Sequence, residues 1–405
     1  MIYFNRPSCS PRPSCFSIIS FKFSAQLVMI LSKYPYVIQK EILDNMEYTD
    51  LFMFSFVSRN MKKLIKSSQL NRFQSISSVQ YNCDRTDQPW VYIFPKRIKL
   101  MRIVKHEEGG NGYFRLEVCG KIIDFQFRRE ARNERRHTTY ECSHLAATYY
   151  PFDKEFTFQS IHNYCLDSFG NSLKFNWEFR HIPRYREIRF YIPFLPQLQN
   201  VSFCVDFWLY GDYERTGTMD FTEMRRLEEF FSSSPVLKSI RMFSRSTTEL
   251  FNPDSKFYQT ESIESQQSRI DFPAILSHFQ GRQAFINCAR CENLDLIEFV
   301  NRWKSGEAFQ NLEYLQIKLR RVEIPQNQIM DAVGAKHMNA SAQPPTHTVP
   351  KIYNWRYMNP NTDPIISHAY VVRETDSRVA SVQIEDKTLS FGVWDKTEDD
   401  FLRMV

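Results

Sequence analysis

Apolar positions crowd residues 31–65, LSKYPYVIQKEILDNMEYTDLFMFSFVSRNMKKLI, and their spacing predicts three short helices. Pro35 suits a first helical turn and pushes Tyr34 out of helical geometry, so the first helix starts after it. Ile38, Ile42, Leu43 and Met46 then follow the three-to-four-residue spacing of one buried face. Thr49 or Asp50 is the expected cap of the second helix, and Ser58 of the third, which carries Met61, Leu64 and Ile65. The second helix, Leu51-Phe52-Met53-Phe54-Ser55-Phe56-Val57, is apolar nearly all round and must be covered on several sides. Ordering such a segment costs about 1–2 kcal/mol per residue, and burying a large apolar side chain returns roughly 1.5–3 kcal/mol. A unit this small has little interior. Some of Leu31, Pro35, Val37, Ile38, Leu51 and Phe54 are therefore expected to meet another surface, on this chain or on a partner.

Beyond residue 73 the pattern changes to β. Strands are expected over Ile76–Cys83, Trp90–Phe94, Ile98–Val104, Tyr113–Val118 and Ile122–Phe127, with turns at Glu107–Gly112 and Gly120-Lys121. Residues 129–150 are polar and basic and read as an exposed loop or a short helix. Phe156–Phe169 reads as a helix closed by Gly170, followed by a strand over Leu173–Phe179.

One unit then recurs, as Leu198-x-x-Val201-x-Phe203, Leu237-x-x-Ile240-x-Met242 and Leu312-x-x-Leu315-x-Ile317. Amphipathic helices, near Thr222–Phe231 and Leu294–Trp303, precede the second and third copies. Ala284–Cys288, after a short Phe272–Phe279 helix, reads as a worn copy in the long gap. Strand–helix units of this kind stack as leucine-rich repeats do, each burying its face on its neighbours. The spacing here is longer and the Asn/Cys ladder is missing, so the units are repeat-like only. Prolines then mark an irregular segment from about 334 to 365. Three strands follow, Ala369–Arg373, Val379–Ile384 and Leu389–Trp394, alternating as a half-buried meander does.

Composition narrows the class. The chain has 405 residues, 42% hydrophobic and 15% aromatic, with 35 Phe and 20 Tyr, which excludes a wholly disordered protein. A formal charge of +6 permits an acidic partner without demanding nucleic acid. Nine cysteines at scattered positions suit reduced thiols in the cytosol or nucleus. No apolar run approaches the ~18 residues of a membrane span. Residues 1–29 lack acidic residues and are rich in Ser, Pro and Cys. They read as a disordered extension or an unused upstream start before Met29, with a mitochondrial presequence as the alternative.

Pro35, Glu41-Ile42-Leu43, Asp50-Leu51, Val57-Ser58-Arg59 and Leu64 together resemble the F-box, the helical module by which substrate receptors dock on Skp1-type adaptors of cullin-RING ubiquitin ligases. Tyr34 stands where the usual leucine precedes the proline, and Met61 where many F-boxes carry tryptophan. A second resemblance lies downstream. Phe299-Val300-x-x-Trp303-Lys304-x-Gly306, running into Leu312-x-Tyr314-Leu315-x-Ile317, is similar to the F-box-associated domain of a greatly expanded nematode F-box family. So is the tail Arg373-Glu374-x-Asp376-x-Arg378-x-Ala380-Ser381-Val382 with Phe391-x-Val393-Trp394. The resemblance implies an α+β chain: an F-box at 30–70, a mixed β/α associated domain with degenerate leucine-rich-repeat-like units at 71–333, and the Pro-rich segment and β-meander at 334–405. It implies an adaptor-binding end and a substrate-binding end, in the cytoplasm and/or nucleus.

Enzymatic readings fail one by one. Gly120-Lys121 lacks the first glycine and the Ser/Thr of a P-loop; His106-Glu107-Glu108 lacks the second histidine of a zincin. Cys288-x-x-Cys291 has no partner pair for a structural zinc, and no Gly-x-Ser-x-Gly elbow exists. No catalytic residue, metal or cofactor is expected. Two basic groups remain: Arg128, Arg129, Arg132, Arg135 and Arg136, and Arg180, Arg184, Arg186 and Arg189 with His181, Tyr185, Phe190 and Tyr191 interleaved. Each reads as a solvated face with internal ion pairs, as a site for an acidic or phosphorylated degron, or as a nucleic-acid surface. The leading expectation is a substrate-recognition subunit of an SCF-type E3 ligase. Pro35, Val37, Ile38, Ile42, Leu43, Leu51, Phe54 and Val57 are its expected contacts to a Skp1-like adaptor and through it a cullin, and Arg180, Arg184, Arg186 and Arg189 its candidate contacts to a protein substrate. No membrane is expected as partner. The alternative is a ligase-independent scaffold or a nucleic-acid-binding protein.

Overall fold

The computed structural model describes residues 31, 33–84, 88–131, 141–170, 173–181, 202–209, 218–219, 225, 228–229, 231–232, 236–244, 246–247, 251–267, 272–288, 291–320, 322–353 and 359–404. Helices run over Tyr36–Asp44 (α1), Tyr48–Ser55 (α2), Arg59–Ser68 (α3) and Leu70–Gln74 (α4). Six strands follow: Ser78–Asp84 (β1), Trp90–Phe94 (β2), Ile98–Lys105 (β3), Phe114–Val118 (β4), Lys121–Ala131 (β5) and Glu141–Tyr149 (β6). Helix Lys154–Phe169 (α5) comes next. The chain folds into two compact units, neither a continuous run. The first holds the described residues up to Ser75 and Ile98–Tyr164; the second holds Ile76–Arg97 and the described residues from Cys165 on.

In the first unit the strands order as β3-β6-β5-β4, with β3 parallel to β6 and the other pairs antiparallel. The β4–β5 hairpin closes through Cys119 and Gly120, whose φ values of 48° and 84° are those of a two-residue primed turn. Residues 141–149, expected within a loop or short helix, form strand β6 instead. The reason is positional: β6 lies between β3 and β5, so Leu145 to Tyr149 are buried on both faces and show no alternation. Residues 132–140 lie outside the described residues.

The second unit is built on parallel strands laid side by side. Lys174–His181 (β7) pairs with β1 and with Ser202–Leu209 (β8); the pairing continues to Ser239–Ser244 (β10), Ser262–Gln267 (β12), Gln283–Cys288 (β13) and Tyr314–Leu319 (β14). Two-residue strands Thr218–Met219 (β9) and Ser246–Thr247 (β11) pair separately. The repeat copies at Leu237 and Leu312 place Leu237, Ile240, Met242, Leu312, Leu315 and Ile317 in the core, and the worn copy is β13. Leu198 and Val201 of the first copy lie outside the described residues. Strand β12 was not visible as a repeat, because Ser-Ile-Glu-Ser-Gln-Gln offers only Ile263 to an apolar pattern. With it included, successive strands from β10 start 23, 21 and 31 residues apart, near the leucine-rich-repeat period. Helices Lys256–Gln259 (α6), Phe272–His278 (α7) and Asn293–Lys304 (α8) occupy the connections.

After β14 come Gln326–Ala332 (α9), the short strands Lys336–His337 (β15), Thr346–His347 (β16) and Ile365–Ile366 (β17), and then the meander. The meander is Ala369–Val372 (β18), Arg378–Glu385 (β19) and Thr388–Thr397 (β20), ending in Glu398–Leu402 (α10). β20 joins the sheet antiparallel to β14. The Pro-rich segment straps one face of this end of the sheet. Gln283 Nε2 donates to Pro350 O at 2.8 Å, Tyr314 Oη to Asp363 O at 3.2 Å, and His347 is wedged against Gly392. A Cβ at Gly392 would lie 2.5 Å from the imidazole, so no larger residue fits there.

The two downstream motifs picked out by sequence pack on each other. Phe299 and Trp303 of α8 each meet Phe391 at 5.1 Å between centroids. Arg373 is buried over Trp303 and holds Asp376 with two hydrogen bonds of 2.8 and 2.5 Å, while Glu374 N donates to Lys304 O at 2.8 Å. Arg373 and Arg378 hold the Asp376 carboxyl below its ordinary range, the Arg373 hydrogen bond being the larger cause.

Candidate adaptor-binding site

Pro35 starts α1 as expected, and its carbonyl accepts from Ile38 N and Gln39 N. The helix is held from its far end. Arg72 of α4 donates from Nη1 to Leu43 O and Asp44 O at 3.1 and 3.2 Å, and from Nη2 to Met46 O at 2.9 Å. A guanidinium there satisfies carbonyls that a helix C-terminus leaves open and complements its dipole. Asp44 accepts from Lys40 and from buried Gln69, both at 2.6 Å, and these two bonds hold its carboxyl below the ordinary range. Sequence periodicity could not reveal Arg72 or Gln69, which act across 25 to 29 positions.

Helix α2 begins at Tyr48, earlier than a Thr49 or Asp50 cap would place it; Glu47 is the N-cap residue, without a side-chain capping bond. Ser58 caps α3 as expected, its Oγ accepting from Met61 N at 3.1 Å. What covers α2 is the rest of the first unit. The Tyr164 ring of α5 stacks on Phe56 at 4.2 Å and meets Phe52 edge-on at 5.6 Å; Phe56 also meets Phe125 of β5 at 5.6 Å. Tyr164 Oη and Ser55 Oγ hydrogen-bond at 2.7 Å, and Lys62 Nζ sits 3.7 Å above the same ring. Burial raises the Asp50 carboxyl above its ordinary value, with Glu47 adding to it.

The expected adaptor contacts therefore fall into two groups. Pro35, Val37, Ile38 and Ile42 are exposed, Val37 at 75%, and Tyr34 and Tyr36 extend the same apolar surface. Leu43 and Leu51 are fully buried within the chain, and Phe54 and Val57 are half-buried. The predicted single buried face of α1 is corrected accordingly: Leu43 is buried and Met46 half-buried, but Ile38 and Ile42 face outward. Spacing identifies an apolar stripe without saying what covers it.

Residues 35–73 match the F-box domain. An F-box marks a substrate-recognition role in SCF-type ubiquitin ligases. No curated protein and no solved structure matches the chain. The F-box match ends within α4 at Phe73, so it takes in Arg72 and its hold on α1.

The candidate substrate arginines are not brought together among the described residues. Arg180 lies on β7, and Arg184, Arg186 and Arg189 lie outside the described residues. Of the first basic group, Arg128 pairs with Glu107 at 3.1 Å. Cys288 is a buried free thiol and Cys291 a half-buried one; a hydrogen bond with Cys288, and then burial, push the pKa of the Cys291 thiol up. Among the described residues no group of three His, Cys, Asp or Glu side chains could hold a metal ion, and no helix is long and apolar enough to cross a membrane.

Proposed function

We propose that this chain is the substrate-recognition subunit of an SCF-type cullin-RING ubiquitin ligase, and that a Skp1-like adaptor binds the exposed side of α1. One observation carries the reading: within a segment that matches the F-box, a nine-residue helix leaves Val37, Ile38 and Ile42 in solvent while Arg72 fixes its end. Exposed apolar side chains on a rigid helix make an interface core, each returning about 1.5–3 kcal/mol when a partner covers it. Pro35, Val37, Ile38 and Ile42 touch the adaptor in this reading, Phe54 and Val57 border it, and Leu43 and Leu51 hold the helices beneath it. Residues 74–405 act as the substrate end, of the nematode F-box-associated type; the packing of Trp303 and Gly306 against Arg373 and Thr375 supports that part. The protein does no bond chemistry itself and works by raising the effective concentration of target near a charged E2.

The test is co-purification with a Skp1-like adaptor. Ile42→Asp, at an exposed position, should abolish adaptor recovery while the chain stays folded. Unchanged recovery refutes the assignment, and a wild-type chain that returns no such adaptor favours the scaffold reading. A steep loss of RNA or DNA affinity with salt would favour the nucleic-acid one.

A further inference from the structure

Strand β4 ends the sheet of the first unit: among the described residues it pairs with β5 and with no strand on its other side. The register fixes which backbone groups it leaves open. Val118 pairs with Lys121 across the two-residue turn, which makes theirs the hydrogen-bonded pair nearest the turn. Such pairs alternate, so Leu116 with Ile123 and Phe114 with Phe125 also bond. Arg115 and Glu117 then aim their N–H and C=O groups away from β5, at the open edge. Both side chains are exposed, while Phe114 and Leu116 are half-buried on the opposite face. An edge like this is a template for another strand unless it is blunted.

The sequence Phe114-Arg115-Leu116-Glu117-Val118 selects its own copy as that strand. In an antiparallel pairing centred on Leu116, Arg115 stands opposite Glu117 of the other copy, and Glu117 opposite Arg115. Leu116 faces Leu116, and Phe114 stands opposite Val118, whose side chain is already buried in its own copy. The same register makes Arg115 and Glu117 the hydrogen-bonded pairs, which uses the outward groups of both strands. Every cross-strand pair is thus either opposite in charge or apolar on both sides. Arg115 donates from Nε to Asp124 at 3.2 Å, a bond that still leaves its terminal amino groups for a second carboxylate. The geometry points to a homotypic interface in which two copies join edge to edge through β4 and continue one sheet across a two-fold axis. A five-residue strand pair is small beside the roughly 800 Å² per partner of a standard interface, so the dimer is a weak one, formed at high concentration.

Sedimentation equilibrium of the full chain across a concentration series tests this. The wild type should show a monomer–dimer equilibrium. Glu117→Arg sets like charges opposite each other and should raise the dissociation constant at least about tenfold. Arg115→Glu should do the same, yet an equimolar mixture of the two variants should dimerise again, because each supplies the charge the other lost. Glu117→Pro removes an outward N–H without touching the β5 ladder and should leave a folded monomer. A wild type that stays monomeric at every concentration reached overturns the proposal. So does a dimer indifferent to Glu117→Arg and Glu117→Pro.

Discussion

Helices α1 and α2 are neighbours of similar length and both rich in apolar residues, yet they end in opposite surroundings. α2 buries Tyr48 against Phe73 and Arg72 of α4, Phe52 and Ser55 against Tyr164 of α5, and Leu51 completely. α1 buries only Leu43 and leaves Tyr36, Val37, Ile38 and Ile42 in solvent. The difference lies in what fixes each helix. α2 is held by side-chain packing and is part of a core. α1 is held mainly by its carbonyl end, through Arg72, and by Asp44. A helix anchored at its end can keep a greasy face free, which is what a docking element needs.

The largest expected effect separates the two helices directly. Leu51→Asp puts a charge in a fully enclosed site and should cost the first unit about 3–5 kcal/mol, read as a fall in its unfolding midpoint. Ile42→Asp, on the exposed stripe but in the last turn of α1, should cost no more than about 1–1.5 kcal/mol. Equal destabilisation by the two would erase the distinction.

Acid should act first on the buried side, since the depressed Asp44 carboxyl of α1 loses its hold only below the ordinary carboxylate range. Burial pushes His162, on α5 in the first unit, from 6.5 down to about 3. The unfolded chain takes up its proton below 6.5 and the folded chain does not until about 3, so stability falls as pH drops through that window. At pH 5 the loss from this residue is about 2 kcal/mol by linkage. His162→Gln should flatten the stability–pH curve there, as followed by chemical denaturation at several pH values. A curve unchanged by that substitution would contradict the assignment.

A smaller effect sharpens the picture. Tyr164→Phe keeps the stack on Phe56 and removes only the hydroxyl bonded to Ser55, which retains its own bond to Phe52 O at 2.5 Å. The expected loss is about 1 kcal/mol in thermal unfolding. Adaptor affinity should hold, since α1 is untouched.

Much of this architecture was legible in the residues, unevenly. Pro35 and Ser58 announced their helix ends, Gly170 its stop at φ 105°, β2 its unbroken apolar run, and β4 its alternation and flanking turns. β6 and β12 were hidden for opposite reasons: one is covered on both faces and so lacks alternation, the other is nearly all polar. The apolar excess of residues 31–65 pointed to a second surface, but spacing alone could not sort Ile42, which is exposed, from Leu51, which is not. The cover on this part of the chain comes partly from Tyr164 and Phe125, which reach Phe52, Ser55 and Phe56 from about 70 to 110 positions away. Arg72 carries no periodic signal, because its work is done through backbone carbonyls.

Hydrogen exchange of the full chain with and without a purified Skp1-like adaptor probes the central claim most directly. The account predicts added protection within Tyr36–Asp44, where the exposed stripe lies, with the amides of Tyr48–Ser55 already slow and little changed. An adaptor that binds while leaving Tyr36–Asp44 as exchangeable as before would contradict it.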